Sequence, residues 1–232
     1  MNILHIETAT PVCSVALSTN GNLVAYKDHH EANIHASKLT VFIQEVLDEA
    51  NCAIEHLHAV AVSKGPGSYT GLRIGVSAAK GFCYALDIPL IAIPTLDALL
   101  EGFLMAHSTE YTADTLFCPM IDARRMEVYT TVYTYTKERL NPVAAHIIDA
   151  LSFDDLSKKN PLVLFGEGAD KFATLFEHHP IVQVFTGFLN SARYQVSIAY
   201  TRYQQQLFED VAYFEPFYLK DFIPTTPKNS KR

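Results

Sequence analysis

The chain lacks any apolar run of the roughly 18 or more residues that a membrane span needs, so no transmembrane helix is expected in its 232 residues. Its four cysteines, Cys13, Cys52, Cys83 and Cys118, have no paired spacing. That argues against a disulfide framework and for reduced, mostly core cysteines in a cytoplasmic protein. Positive charge is also short: 18 Lys and Arg stand against 25 Asp and Glu, a formal net charge of -7. Phosphate contact needs clustered Lys and Arg, so strong nucleic-acid binding by this chain alone is not expected. A place beside a nucleic-acid-binding partner stays open. The start, Met1-Asn2-Ile3-Leu4, has no basic n-region and runs into a strand, so no signal peptide is expected. No His-x3-His or His-Glu-x2-His occurs, which removes the usual helical zinc patterns. His29, His30, His35, His56 and His58 therefore read as solvated or capping residues, and His178-His179 as a helix end where a cation suits the dipole.

What is present centres on Gly65-Pro66-Gly67-Ser68-Tyr69-Thr70-Gly71-Leu72-Arg73-Ile74-Gly75. It follows an apolar run at 58–63 that reads as a buried strand, and it opens a helix to about Leu86. Gly65 and Gly67 flank a proline, which marks a sharp turn, and Ser68 is placed as N-cap. Gly71, Gly75 and Ala79 recur every four residues. Each helical glycine costs about 1 kcal/mol against alanine, so something is expected to pack very close to this face. Most of the remaining surface is apolar, leaving Arg73, Ser77, Lys80, Tyr84 and Asp87 as a polar stripe. Such a helix should be buried on more than one side, by its own sheet and by a second helix, domain or protein.

Taken in order, residues 2–8, 12–18 and 23–27 read as an antiparallel meander with Asn20-Gly21-Asn22 as a hairpin turn. Residues 33–50 switch to helical spacing; 59–63 is a fourth strand, 89–93 a fifth, and a short helix capped by Thr95 or Asp97 runs through Met105. Three antiparallel strands, helix, strand, helix, strand is the plan of the ribonuclease-H-like and actin-like ATPase folds. The plan restarts after the polar stretch at 107–114, with strands at 116–121, 126–135, 143–148, 162–165 and 181–185. Helices are expected at 154–159, 171–178 and 191–208. The first strands end alike, Ile6-Glu7-Thr8-Ala9 and Ile121-Asp122-Ala123-Arg124, so the chain is expected to be an α/β internal duplication of two βββαβαβ-type domains, the second abbreviated. The expected domains are residues 1–106 and 107–224, with a disordered tail at 225–232.

No candidate site carries a complete catalytic pattern. A P-loop needs Gly-x4-Gly-Lys-Ser/Thr, but Leu72 and Arg73 follow Gly71. A structural turn with close packing is the main reading of the loop. A phosphate contact by the helix N-terminus, with Glu7, Thr8, Gly65, Gly67 and Ser68 near the anion, is the alternative. Glu7 could start a two-metal nuclease cage, with Glu45 or Glu49 as second ligand, but the fourth strand ends Val62-Ser63-Lys64 without an acid. Actin-like kinases want Asp-Gly-Ser/Thr in the first hairpin, where this chain has Glu7-Thr8-Ala9-Thr10. Vigorous ATPase activity is not expected; ATP or ADP binding, with Gly166-Glu167-Gly168 as a nucleoside-side loop, stays open. The aromatic stretches at 126–135 and 213–218 read as core or sheet surface in preference to a base-stacking platform, which wants basic neighbours.

The glycine-rich segment closely resembles the GPGS-F/Y-TGLRIG signature of the TsaB family. So do residues 3–17 with their Cys-Ser-Val-Ala-Leu run, Ile121-Asp122-Ala123-Arg124-Arg125-Met126-Glu127-Val128-Tyr129, and Glu215-Pro216-Phe217-Tyr218-Leu219-Lys220. Together these span nearly the whole chain in the family's order. The chain departs from the family at Glu7, where aspartate is frequent, and in Tyr-Leu-Lys for the commoner Tyr-Leu-Arg. The resemblance implies an actin-like fold without robust catalysis or a required cofactor, and nucleotide at most bound weakly or shared at an interface. It implies a TsaD-type catalytic partner and a TsaE-type ATPase, in a complex that moves a threonylcarbamoyl group onto an adenosine beside the anticodon of tRNA. Contact with tRNA would come only through that complex. The family pairs with TsaD through first-domain helices, which gives Tyr69, Gly71, Arg73, Gly75, Ser77, Ala79 and Lys80 as the expected interface and a homodimer as the expected state of the chain alone. An independent actin-like kinase or a glycoprotease-like peptidase is the competing reading.

Overall fold

Alternating apolar residues build two five-stranded sheets with one shared plan. The computed structural model describes residues 1–31, 33–157 and 160–220. The first sheet holds β1 (Asn2–Glu7), β2 (Val12–Thr19), β3 (Asn22–His30), β4 (Ala59–Gly65) and β5 (Leu90–Pro94) in the order β3-β2-β1-β4-β5. The second holds β6 (Leu116–Asp122), β7 (Glu127–Thr130), β8 (Ala144–Ile147), β9 (Leu162–Phe165) and β10 (Val182–Phe185) in the order β10-β9-β6-β7-β8. Counted from the start of each half, both orders are 3-2-1-4-5. In each, the first three strands are antiparallel and the fourth and fifth join in parallel. The expected duplicated α/β architecture is therefore the observed one. The Asn20-Gly21 turn has φ of 53° and 79° at its two central residues, as a two-residue hairpin requires.

The period of two sorts the first sheet into two faces. Leu4, Ile6, Val60 and Val62 meet α1 (His35–Glu49) and α2 (Tyr69–Leu86) through Leu39, Phe42, Ile43, Val46, Val76 and Cys83. Ile3, Ala59, Ala61, Ile91 and Ile93 meet Ala98 of α3 (Thr95–His107) and Ala199 of the last helix (Val196–Gln204). Along its length α3 also gives Leu96, Leu99, Leu100, Phe103 and Leu104 to a core with Phe117, Ile121, Val163 and Phe165 of the second sheet. Residues 106 and 107, where a division was expected, lie at the end of this shared helix. The last helix returns from the second half to cover the first sheet.

The second half departs most from expectation. The strand expected at 126–135 stops at Thr130, because Asn141 intervenes: its Oδ1 accepts from Val132 N at 2.8 Å and from the Thr131 hydroxyl at 2.9 Å. The helix expected at 154–159 is α4 (Asp154–Ser157), with 158–159 outside the described residues. That at 171–178 shortens to a 3-10 turn, Asp170–Phe172, and α5 (Ala173–Phe176). The closing helix expected at 191–208 is a 3-10 turn, Ala192–Gln195, then α6 (Val196–Gln204), and Gln206 at φ 55° prevents its continuation. The tail expected at 225–232 lies outside the described residues. Among the described residues no helix is long and apolar enough to cross a membrane.

Candidate functional site

The glycine-rich turn wraps the end of β1. Ser68 N donates to Ala9 O at 2.7 Å, and a Cβ on Gly67 would stand 2.3 Å from that same oxygen. Ser68 caps α2 as expected, its Oγ accepting from Gly71 N at 3.2 Å. The stripe Gly71, Gly75 and Ala79 is fully buried against the chain itself. A Cβ on Gly71 would meet Thr8 O at 2.1 Å, and one on Gly75 would meet Thr8 Oγ1 at 2.2 Å. These distances are far inside van der Waals contact. The expectation that this stripe admits a partner helix is thereby corrected: the close neighbour is Thr8, at the end of β1. Lys80 is also engaged internally, donating to Ala212 O at 3.0 Å and Phe214 O at 3.1 Å.

The outward face of α2 is different. Arg73, Ser77, Gly81, Tyr84 and Ala85 are exposed, Tyr84 at 85%. Among the described residues nothing lies within 4 Å of a would-be Cβ on Gly81, so no contact there calls for a glycine. Tyr69 opens the same helix; the Arg73 guanidinium lies 5.3 Å from its ring centroid and donates to its hydroxyl at 3.1 Å.

Between the two sheets lies a cleft of about 570 Å³. Its first wall is Ala9, Thr10, Pro11 and the α2 start at 67–70; its second is Asp122, Ala123, Arg124, Tyr129 and Glu167. Residues 217–220 cover its mouth. Of the five residues expected near an anion, Gly67 and Ser68 line this cleft; Glu7, Thr8 and Gly65 are buried away from its lining. Gly166-Glu167-Gly168 repeats the first-half turn after the fourth strand, with Gly166 at φ 97° against Gly65 at 112°. Glu167 is pushed up to about 8, first by burial and then by the carboxylates of Asp122, Glu7 and Asp170. It is thus neutral over much of the physiological range. Nothing periodic marks it in sequence; only its flanking glycines point to it.

An actin-like fold implies a nucleotide with its metal, and the residues here do not fit that group. Glu7 is 0% exposed, accepts from Ala9 N at 2.7 Å and from the Ser63 hydroxyl, and has its pKa raised chiefly by burial. Gln195 braces the same spot, its Nε2 donating to Ser63 Oγ at 2.9 Å and Ile6 O at 3.1 Å. Both Glu7 oxygens are therefore spoken for inside the core. The Thr8 hydroxyl faces Gly75 and has no hydrogen-bond partner. Among the described residues, no three His, Cys, Asp or Glu side chains come together as a metal-holding group. The histidines are dispersed: His58 and His179 accept backbone N–H groups, and His35 lies 3.2 Å from Val12 O.

Comparison with known proteins gives a consistent outcome. The family model described as "TsaD: tRNA N6-adenosine threonylcarbamoyltransferase" matches residues 29–228. The "tRNA threonylcarbamoyladenosine biosynthesis protein TsaB" of Bacillus subtilis is 33% identical over 167 residues, 71% of this chain and 70% of that protein. Among solved structures, YeaZ from Pseudomonas aeruginosa superposes with a TM-score of 0.78 at 25% identity, over 94% of this chain and 99% of its own. The activator of the 2-hydroxyisocaproyl-CoA dehydratase from Clostridium difficile shares the fold, with a TM-score of 0.51 at 9% identity over 90% of this chain and 99% of its own.

Proposed function

From the premise that the chain belongs to the TsaB family of tRNA threonylcarbamoyladenosine biosynthesis proteins, we propose that it acts as a non-catalytic subunit that docks on a TsaD-type catalytic protein. The observation that carries the docking is the outer face of α2. Glycine inside a helix costs about 1 kcal/mol against alanine. Gly71 and Gly75 recover that cost against Thr8 at the end of β1, whereas Gly81 meets nothing among the described residues. Ser77, Gly81 and Ala85 stand four residues apart on the exposed surface beside Tyr84, and a partner helix can approach closely over them. Of the residues expected at the interface, Tyr69, Arg73 and Ser77 remain in this proposal. Gly71, Gly75 and Ala79 act from beneath by seating the helix. The TsaE-type ATPase and tRNA are proposed to join through the assembled complex, and any nucleotide contact to arise at the shared interface. In the absence of the partner, the same face is proposed to pair two copies of this chain.

The test is light scattering on a size-exclusion column, with the chain alone and mixed with the TsaD-type protein of the same cell. A heteromer is expected for the unaltered chain. Gly81→Leu should lose it while unfolding no more easily, since leucine is the better helix former. If Gly81→Leu pairs as well as the unaltered chain, the outer face of α2 is not the docking surface. If no heteromer forms with or without nucleotide, turnover of ATP or metal-dependent peptide cleavage by the isolated chain becomes the reading to measure.

A further inference from the structure

We propose that residues 215–220 are a latch that holds the two halves closed across the mouth of their cleft, and that its release lets them part about α3. The two sides of the cleft are built differently. At the back, α3 is embedded in both cores. Its Asp97 accepts from Arg139 Nη2 at 2.6 Å and from the Tyr133 hydroxyl; its Glu101 accepts from Ser197 Oγ at 2.6 Å and pairs with Lys137. Gly102 lets the Tyr194 ring lie directly on the helix, where a Cβ would stand 2.3 Å from Tyr194 Cγ. This side can act as a hinge but not open.

At the mouth, the closure comes from the chain's own late segment. Phe217 N donates to Lys64 O at 2.7 Å, which adds one rung beside β4. Phe217 O lies 2.6 Å from where a Cβ on Gly65 would be, so Gly65 is shaped to receive this backbone. The Tyr218 ring sits 4.8 Å from the Tyr69 ring, centroid to centroid. These contacts fasten the segment to the first half. Lys220 then crosses to the second half and pairs with Glu127 of β7. Lys171 steadies the acceptor side by donating to Glu127 O at 2.7 Å and to Asp122 Oδ1 at 2.6 Å. Among the described residues, the segment is thus firmly based on one half and joined to the other by one part-exposed ion pair. That is the arrangement of a latch: strong on its own side, weak where it must let go.

The test measures the distance between spin labels at Thr70 and Arg124, both exposed and on opposite walls, in a full chain with Cys52→Ser. The unaltered latch should give one dominant short distance. Lys220→Glu should move population to a longer distance, with a change of about fivefold in the closed-to-open ratio, the size that one part-exposed ion pair supports. Lys220→Glu combined with Glu127→Lys should restore the short distance. Lys137→Glu, at the back, should leave the distance unaltered. An unchanged distance in Lys220→Glu would overturn the proposal. A distance that stays long in the charge swap would overturn it too, because the pairing of these two charges would then not be what closes the mouth. Far-ultraviolet circular dichroism on every variant confirms that the compared chains are folded.

Discussion

Each half ends its first strand with an acid, and the two acids live in opposite settings. Glu7 is sealed in the core, bonded to Ala9 N and to the Ser63 hydroxyl, and holds its proton more tightly than a free glutamate. Asp122 has a side chain 50% exposed, borders the cleft and pairs with Lys171. The halves share strand order, turn position and turn glycines. The first has turned its site into scaffold, while the second keeps its acid at the surface. The difference follows from what comes after the fourth strand: an 18-residue helix in the first half, a 3-10 turn and a four-residue helix in the second. A long helix needs a close seat, and Glu7, Thr8 and Ala9 help to provide it.

The largest effect expected from this contrast is at the seat. Gly71→Ala should cost about 3 kcal/mol or more in urea unfolding, because its Cβ would press on backbone that cannot move alone. Gly168→Ala meets Ile121 C and Asp122 N at 2.7 and 2.8 Å and should cost less, about 1–3 kcal/mol. Equal costs would mean that the two halves seat their turns equally tightly. Next come the acids themselves. Glu7→Ala strands a buried N–H and a hydroxyl and leaves a void, about 2–4 kcal/mol together. Asp122→Ala removes a part-exposed ion pair, about 0–1 kcal/mol. A larger loss at Asp122 would break the comparison.

The last way to sharpen the comparison is a pH slope. Glu167 releases its proton near pH 4.5 when unfolded and near 8 when folded. Between those values unfolding releases a proton, so stability is greatest at the acid end and falls as pH rises through the window. The thermal midpoint should drop by on the order of 5 °C from pH 5 to pH 8. Glu167→Gln should flatten that part of the profile. A slope that survives the substitution would assign it to another group, Glu7 first.

Much of this was legible in the residues. Alternation in β1, β2 and β4, the Asn20-Gly21 turn and the Ser68 cap each express a local rule, and the repeat of Ile-acid at two strand ends exposed the duplication. The inner stripe of α2 was read with the wrong orientation for a physical reason. Periodicity tells which residues share a helix face, but the same small residues serve a contact from inside or outside. Gly81 was passed over because it falls off that four-residue register. The early ends of β7 and α6 escaped because the Asn141 side chain and the left-handed backbone of Gln206 set them, and neither is a local pattern. Glu167 is marked by its flanking glycines, but its burial and the nearness of Asp122 and Glu7 are tertiary, as is the Lys220 crossing to Glu127, 93 positions away.

The path of α6 has a consequence for how the protein is made. Ile3, Ala61 and Ile91 leave the ribosome before the second sheet is made, yet the helix that covers them through Ala199 is synthesised only after it. Ala98 of α3 covers only part of that face, so the nascent first sheet carries bare apolar surface while the second half is being translated, the condition under which chaperones hold a chain and misassociation competes with folding. The two halves cannot mature one after the other; the first is completed only when α6 comes back from the second.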